Sequence, residues 1–314
     1  MRIVFIGTAE LACPCLEAVT RMPQHQVVAV VTQPDRPSGR HLTPTPPAVK
    51  TTATALGLEI LQPARIRDDI ASVESLRALQ PDLIIVVAYG QLLPKNILEL
   101  PSRGCINVHA SLLPRWRGAS PIQRAILAGD RETGVTTMYL NERLDAGDII
   151  LQRAEPIRPD DTAATLHDRL ASLGAGLLVE TVELIDAGRA PRAPQDEKQV
   201  TRAGKLTKED GRVDWTKPAV EIERQIRALN PWPSAYTFWG KTMLKLWKTE
   251  VVANATGKPG EVLPGFIVAA GTGGLRLLEV QPANGKRLPI NAFASGHRLE
   301  SGIILDNAPG EAHK

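Results

Sequence analysis

The sequence predicts an α/β protein with a Rossmann-like, mostly parallel sheet flanked by helices, followed by a smaller, mainly β C-terminal domain. In the first half, short apolar runs rich in Ile and Val alternate with helical segments, an order typical of parallel strands buried on both faces. The second half consists mainly of short strand-like runs separated by glycines and prolines, which favours a small barrel or sandwich. Between the two halves, residues 189–204 contain two prolines and mostly polar side chains, as interdomain linkers do.

The elements of the first half follow from local patterns. Apolar runs predict strands at 2–7, 27–32, 83–88 and 106–110, and the segments between them predict helices at 14–21, 48–56 and 66–79. Two further strands, 133–140 and 149–154, flank a turn with the sequence Leu-Asp-Ala-Gly-Asp. A long amphipathic helix is predicted at 162–187, where Gly188 ends it.

The second half is predicted to begin with a helix at 219–229. It continues with strands at 235–238, 243–252, 260–262, 265–269 and 274–280. The sequence therefore predicts an α/β domain at 1–188, a linker at 189–204, a β domain at 205–306 and a tail at 307–314.

The excess positive charge lies in the last third of the chain. The formal net charge is +3, and the residues from Lys205 onward contribute +4 against −1 from the preceding part. Such a surplus is compatible with a polyanionic partner, and equally with a mildly basic, solvated surface.

Cysteine usage and the N-terminal residues narrow the class of protein. Cys13, Cys15 and Cys105 form neither a disulfide framework nor a Cys/His spacing typical of zinc sites. The chain enters a strand directly after Met1, and no apolar run approaches the ~20 residues of a membrane span. We therefore expect a cytoplasmic protein with no metal and no membrane partner.

The most informative stretch is 105–118. Read as a strand, it places Asn107 and His109 on one face, and the alternate positions on the other face are apolar. Pro114 and Gly118 then require a loop before the next helix. In open α/β sheets the carboxyl ends of the strands are where ligands bind, so this pattern predicts an active site, although a lone strand histidine is often only packed or solvated.

The first strand-to-helix turn argues against a nucleotide cofactor. Gly7 is the only glycine of a Gly-x-Gly-x-x-Gly fingerprint that the turn contains. Without the second glycine, the backbone cannot approach a pyrophosphate closely, so nicotinamide and flavin cofactors are disfavoured.

Several motifs together resemble the folate-dependent formyltransferases, and the resemblance extends from Met1 to about residue 302. Within the family, the proline-rich loop and the second-half motifs favour the branch that acts on transfer RNA. The motifs are Thr-Gln-Pro-Asp-Arg-Pro at 32–37, Asn-Val-His at 107–109, Ser-Leu-Leu-Pro at 111–114, Arg-Gly at 117–118, Asp145, Lys-Leu-Thr-Lys at 205–208, Val-Asp-Trp at 213–215 and Asn-Pro-Trp-Pro at 230–233.

The resemblance implies that Asn107, His109 and Asp145 are catalytic. Formyl transfer needs a stabilised tetrahedral oxyanion and proton delivery to the departing folate nitrogen. Asn107 and an imidazolium at His109 can donate to the oxyanion, and Asp145 would favour the charged imidazole and accept the proton that the attacking amine loses. We expect these three side chains to lie within hydrogen-bonding reach, directly or through one water molecule.

The resemblance also implies the substrates. The cosubstrate is 10-formyltetrahydrofolate, with no permanently bound cofactor, and the formyl group passes to the amino group of methionine on initiator transfer RNA. The residues expected to bind folate are Ser111, Leu112, Leu113, Pro114, Tyr89, Gly90, Gln91 and Leu92. The residues expected to contact RNA are Arg36, Arg40, Lys205, Lys208, Lys241, Lys245 and Lys248.

The same resemblance implies a formyl-folate-binding catalytic domain at 1–188 and an OB-like, RNA-binding barrel at 205–306. No obligate protein partner is evident, and we expect a monomer. In this reading Arg115, Trp116 and Arg117 face the acceptor's terminal nucleotides, or else belong to a solvated basic loop. Alternative readings are a formyl enzyme acting on a nucleotide sugar or on glycinamide ribonucleotide, a formyl-folate hydrolase, a nicotinamide dehydrogenase and a non-catalytic RNA-binding protein.

Overall fold

The structure is a computed structural model that describes residues 1–38, 43–297 and 299–305. Within these residues the chain divides into two units. Unit 1 comprises Met1–Pro121, Glu132–Pro156 and His167–Gly204. Unit 2 comprises Ile122–Arg131, Ile157–Leu166 and the chain from Lys205 onward.

The strands and helices are numbered along the chain. The strands are β1 Arg2–Gly7, β2 Gln26–Val31, β3 Arg36–Ser38, β4 Thr43–Thr45, β5 Ile60–Leu61, β6 Leu83–Val87, β7 Cys105–His109, β8 Arg117–Gly118, β9 Glu132–Tyr139, β10 Ile149–Pro156, β11 Arg202–Ala203, β12 Ala235–Trp239, β13 Thr242–Val252, β14 Val262–Leu263, β15 Ile267–Ala269, β16 Gly274–Pro282 and β17 Leu288–Pro289. The α-helices are α1 Cys13–Thr20, α2 Ala48–Ala55, α3 Ile70–Ala78, α4 Lys95–Leu98, α5 Pro121–Ala128, α6 Ala163–Asp186, α7 Ala219–Ala228 and α8 Ile290–His297. Single 3-10 turns lie at Glu10–Ala12, Glu197–Gln199 and Glu209–Gly211.

Unit 1 is built on a sheet with the strand order β10–β9–β7–β6–β1–β2–β5. The five strands from β7 to β5 are mutually parallel, whereas β9 runs antiparallel to both β7 and β10. Strand β6, with the sequence Leu-Ile-Ile-Val-Val, is buried at every position because both faces of a parallel sheet are covered. The predicted class of a mostly parallel sheet with helices is confirmed.

Some helix ends differ from the sequence prediction for a local reason. Helix α3 begins at Ile70 and not near residue 66, because the Asp69 side chain caps it by accepting a hydrogen bond from Ser72 N at 2.9 Å. The preceding residues instead form an irregular turn in which Ile66 is fully buried.

Unit 2 contains the antiparallel sheet β12–β13–β16–β15–β14, with β17 paired to β16, and the sheet curls as half of a barrel. The predicted mainly β C-terminal fold is confirmed. Helix α7 packs Ile222 and Ile226 into the core of this unit, and the buried Trp215 ring donates from Nε1 to Thr237 Oγ1 at 3.0 Å.

Two short segments of the first half also belong to unit 2. Arg124 on α5 forms an ion pair with Asp210 at 3.6 Å, and Arg227 Nη1 donates to the carbonyl of Asp161 at 2.9 Å. Residues 189–204, predicted to be a linker, lie in unit 1, where β11 pairs with β8. The domain boundaries at 188 and 205 remain a prediction, and residues 307–314 of the predicted tail lie outside the described residues.

Among the described residues, no helix is both long and apolar enough to span a bilayer. The same part of the chain contains no group of three or more His, Cys, Asp or Glu side chains arranged to hold a metal ion.

Candidate active site

Asn107 and His109 lie on β7, between the parallel strand β6 and the antiparallel strand β9. Asn107 is in register with Val86 and Met138, and His109 is opposite Thr136. Both side chains are buried, with 8% and 6% of their residue surfaces exposed. Because β7 ends at His109, the imidazole lies at the carboxyl edge of the sheet, where the chain turns away from it.

The two ring nitrogens of His109 face different acceptors. Nε2 lies 2.9 Å from the carbonyl oxygen of Trp116, and since a carbonyl only accepts, Nε2 holds a proton. Nδ1 lies 3.8 Å from Asp145 Oδ2, which is longer than a hydrogen bond but close enough for a strong charge interaction. The backbone carbonyl therefore sets the orientation of the ring toward the carboxylate.

The Asp145 carboxylate is held by the loop that follows β7. Its Oδ2 accepts a hydrogen bond from Gly118 N at 2.8 Å, and the residue is 9% exposed. Asp145 adopts a φ of +49°, which side-chain-bearing residues rarely do. Two residues further on, a Cβ at Gly147 would lie 1.7 Å from the carbonyl oxygen of Tyr139, so only glycine fits there.

Unusual backbone conformations recur where the sheet's strands end. Ala88 follows β6 with a φ of +47°, and Trp116 follows β7 with a φ of +65°. With Asp145, they are three of the four side-chain-bearing residues in the left-handed region within the described part of unit 1; the fourth, Gln80, precedes β6. Such conformations cost roughly 1–3 kcal/mol each and cluster at functional sites, which marks this edge as the candidate site.

The structure brings His109 and Asp145 together and leaves the amide of Asn107 available. Within the described residues, no side-chain hydrogen bond of Asn107 is formed. The expected convergence of all three side chains within hydrogen-bonding reach stays a prediction.

The backbone of Ser111–Pro114 is held from behind by β9 and β10. Thr136 Oγ1 donates to the carbonyl of Ser111 at 2.6 Å and accepts from Leu113 N at 3.1 Å. Gln152 Nε2 donates both to the carbonyl of Leu113, at 2.8 Å, and to Thr136 Oγ1, at 3.0 Å. These backbone groups are therefore occupied within unit 1, and a ligand would contact the segment chiefly through its Leu112 and Pro114 side chains, which are half-buried.

Fewer of residues 89–92 are accessible to a ligand than the sequence predicts. The Tyr89 ring is buried in the apolar core, and burial raises the pKa of its hydroxyl to about 12. Gln91 uses its side chain to accept from Ile66 N and donate to the carbonyl of Ala64, both at 3.1 Å. Only Leu92, 64% exposed, and the backbone at Gly90 remain to contact a ligand on this side.

The described part of the proline-rich segment includes a two-stranded ribbon of β3 and β4, in which Pro37 faces Pro44. Arg36 donates to Gln33 Oε1 at 2.7 Å, and Gln33 Nε2 donates to the carbonyl of Tyr89 at 2.7 Å. The base of the loop is thus tied to the predicted folate wall. Arg40 lies outside the described residues.

The lysines expected to contact RNA occupy exposed or half-buried positions on unit 2. Lys241 lies in the turn between β12 and β13, whereas Lys245 lies on β13. On β13, Leu244 and Leu246 are buried, which leaves Lys245 on the opposite face beside the Trp247 ring, 5.8 Å from its centroid. The remaining three, Lys205, Lys208 and Lys248, are exposed.

Thr136 and Gln195 support the site but were not identifiable from the sequence. Arg117 was expected to face RNA or solvent, and it contacts other residues of unit 1. Thr136 lies within an ordinary strand pattern, and Gln195 lies in the segment interpreted as a linker. Arg117 is 6% exposed and donates to Gln195 Oε1 at 2.9 Å and to the Glu197 carboxylate at 3.2 and 3.3 Å, so its side chain is committed inside unit 1. No local signal predicts contacts between positions about 80 residues apart.

Unit 1 has the form of an α/β enzyme with a buried histidine–carboxylate pair at the carboxyl edge of its sheet. Residues 1–182 match the family described as formyl transferase, and residues 205–298 match the formyl transferase C-terminal domain. The chain therefore belongs to the formyl transferase family, which confirms the family that its motifs predicted.

Similar proteins span the whole chain. It is 50% identical over 310 residues to the methionyl-tRNA formyltransferase of Moorella thermoacetica, covering 97% of this chain and 99% of that protein. It is 46% identical to the methionyl-tRNA formyltransferase of Geobacter sulfurreducens, covering 100% and 99%.

Solved structures share the fold at low sequence identity. HypX from Aquifex aeolicus in complex with tetrahydrofolic acid superposes with a TM-score of 0.63 at 20% identity, covering 100% of this chain and 50% of that one. The sugar 3N-formyl transferase WlaRD superposes with a TM-score of 0.67 at 18% identity, covering 91% and 99%. At these identities the likeness concerns the fold alone.

Proposed function

We propose that this chain transfers the formyl group of 10-formyltetrahydrofolate to the amino group of methionine on initiator transfer RNA. The observation that supports this most strongly is the presence of both formyl transferase domains in a chain that matches a methionyl-tRNA formyltransferase at 50% identity over nearly its full length. The product, formylmethionyl-tRNA, serves translation initiation. We further propose that the protein works in the cytoplasm as a monomer, without a permanently bound cofactor.

The chemistry assigned to the site is nucleophilic acyl transfer. The methionine amine attacks the formyl carbon, and a tetrahedral intermediate with an oxyanion forms. Asn107 donates its amide hydrogen to this oxyanion. His109, in its protonated form beside Asp145, donates a second hydrogen bond from Nδ1, because Trp116 O holds the Nε2 hydrogen. The bond between the formyl carbon and folate N10 then breaks.

Two protons must move during this reaction. The attacking amine loses one, and the departing N10 gains one. Asp145 and His109 lie 3.8 Å apart and form a pair that can accept the first and supply the second, so the net charge of the pair is restored at the end of the cycle. These roles are proposals that rest on the burial and spacing of the pair.

Folate is assigned to the edge formed by Ser111–Pro114 and Tyr89–Leu92. The apolar Leu112, Pro114 and Leu92 side chains suit the faces of a flat pterin ring. Since Thr136 and Gln152 hold the backbone of the first segment, its contacts with folate are those of a rigid wall.

RNA recognition is assigned to two surfaces. One is the proline-rich loop with Arg36 and Arg40, whose base is tied to the folate wall through Gln33. The other is the basic part of unit 2, with Lys205, Lys208, Lys241, Lys245 and Lys248. Phosphate contacts from such residues give affinity without reading sequence.

The test is a formyl transfer assay with several acceptors. The protein is incubated with 10-formyltetrahydrofolate and either initiator methionyl-tRNA, elongator methionyl-tRNA, an amino-sugar nucleotide or glycinamide ribonucleotide. We expect formylation of methionine on the initiator transfer RNA. Formylation of a sugar or ribonucleotide in its place, or release of formate without an acceptor, would refute the proposal.

A further inference from the structure

A segment of unit 1, residues 193–203, crosses both loops that build the site; we call it the strap. At one end, Ala193 exchanges backbone hydrogen bonds with Ile149 at 2.8 and 3.0 Å, just after the Asp145 turn. At the other end, β11 pairs with β8, and Thr201 Oγ1 accepts from Trp116 N at 2.8 Å. The strap thus contacts the loop whose Trp116 carbonyl orients His109 and the turn that contains Asp145.

Gln195 is the strap residue that connects the two loops through one side chain. Its Nε2 donates to the carbonyl of Asp145 at 2.9 Å and to the carbonyl of Gly147 at 2.8 Å. Its Oε1 accepts from Arg117 Nε at 2.9 Å. Both amide hydrogens and the amide oxygen are therefore used, and only this orientation satisfies two carbonyls and one guanidinium.

Arg117 completes the connection. Its buried guanidinium also forms an ion pair with Glu197 of the strap, and the hydrogen bonds from Arg117 lower the pKa of the Glu197 carboxyl. Gln195 therefore joins the backbone of Asp145 to Arg117. Arg117 in turn directly precedes Gly118, whose N–H donates to the Asp145 carboxylate.

We infer that Gln195 is a positioning residue that sets the Asp145 carboxylate against His109 for formyl transfer. Asp145 adopts a strained φ of +49°, so its turn needs external contacts to hold that conformation, and Gln195 supplies two of them. This inference rests on the proposed function, because it concerns how the proposed catalytic pair is aligned.

The test is the nearly isosteric substitution Gln195→Glu. A carboxylate would place oxygen against the two carbonyl oxygens and remove both donors, while keeping an oxygen that accepts from Arg117 Nε. We expect kcat for formyl transfer to fall at least tenfold, with KM for each substrate changed less than threefold. The matched control is Gln199→Glu on the same strap. Within the described residues its exposed side chain hydrogen-bonds to Asp196 alone, and kcat should stay at the wild-type value.

A double-mutant cycle distinguishes positioning from a general structural role. In an Asp145→Asn background the catalytic carboxylate is gone, so adding Gln195→Glu should cause no further loss of kcat. If Gln195→Glu lowered kcat by the same factor in the Asp145→Asn background as in the wild-type protein, the inference would be overturned. Gln195→Ala serves as a second variant, and wild-type kcat in both variants, or loss of the folded state in both, would equally contradict it.

The same cycle separates this inference from the proposed function. If Asp145→Asn retains wild-type turnover, the proposed catalytic pair is wrong and the inference fails with it. If Asp145→Asn is impaired while both Gln195 variants turn over normally, only the role of Gln195 is wrong.

Discussion

His109 can hold a proton on both ring nitrogens because each nitrogen faces an acceptor. Trp116 O takes the Nε2 hydrogen, and a neutral Nδ1 would direct its lone pair toward the Asp145 carboxylate 3.8 Å away. In the proposed mechanism a proton on Nδ1 replaces this lone pair, and the Asp145 carboxylate then attracts the ring. The positive charge then lies at the edge of the sheet, beside the place where an oxyanion would form.

Replacing Asn107 with alanine should lower kcat by roughly 10²–10³, because the amide is proposed to act on the transition state. The Asn107 side chain forms no hydrogen bond with any described residue, so the melting temperature should change little. Steady-state kinetics and thermal unfolding measure both effects. Asn141→Ala, which removes an exposed amide, is the control, and near-normal kcat in Asn107→Ala would exclude the assigned role.

Strand β9 supports the site from behind through one hydroxyl. Thr136 Oγ1 contacts Ser111 and Leu113 backbone groups as well as the Gln152 side chain, and Thr136 is fully buried. The loop after β7 is therefore rigid because the neighbouring strand satisfies its polar groups, although the loop itself has no regular structure. This explains how a wall for folate can be built from irregular backbone.

The substitution Thr136→Val should lower stability and raise KM for 10-formyltetrahydrofolate. Valine has the same shape but leaves buried donors and acceptors unpaired, at a cost of about 1–3 kcal/mol for each group. Thr133→Val on the same strand is the matched control, because the buried Oγ1 of Thr133 has no partner in the described structure, and its loss should be neutral or stabilising. Equal effects of the two substitutions on denaturant midpoint and KM would contradict this account.

Strand β13 presents basic side chains away from the core of unit 2. Replacing Lys245 or Lys248 with alanine should weaken binding of initiator transfer RNA and flatten the plot of log affinity against log salt by roughly one unit per lost phosphate contact. Filter binding at several salt concentrations gives this slope. The control is Lys258→Ala, which removes the same charge. Lys258 lies just before β14 at the edge of the sheet, and its loss should leave the slope unchanged. Identical slopes for all three variants would remove β13 from the proposed RNA surface.

At the scale of the whole molecule, the periodic and turn signals in the sequence were sufficient to predict the α/β order, the β domain and the end of β7. They were insufficient for contacts between segments distant in sequence. Gln195 lies among prolines and charged residues, so its local pattern is that of a linker, and its role depends on carbonyls about 50 residues away. Arg117 likewise looks like a basic loop residue until its partners Gln195 and Glu197 are seen.

The buried thiols of unit 1 should make the protein sensitive to alkaline pH. Burial raises the pKa of Cys15 and of Cys105 from 9.0 to about 12. The unfolded chain ionises at the lower value, so the stabilisation is complete below about pH 9 and is lost as pH rises from there toward 12. Each thiol should reduce the free energy of unfolding by up to about 1.4 kcal/mol per pH unit in that window.

Urea unfolding under reducing conditions between pH 8 and pH 11 measures this dependence. Cys105→Ala should be less stable at pH 8, since it creates a small cavity, but its stability should fall less steeply above pH 9. A slope identical to that of the wild-type protein would show that the Cys105 thiol does not contribute.

The proposed mechanism requires the His109–Asp145 pair for transfer of a formyl group to methionyl-tRNA. The most direct measurement is the single-turnover rate of formylation with saturating 10-formyltetrahydrofolate and initiator methionyl-tRNA, compared between the wild-type protein and Asp145→Asn. We expect the rate constant to fall by roughly 10²-fold or more, with both substrates still bound. An unchanged rate constant in Asp145→Asn would contradict this mechanism.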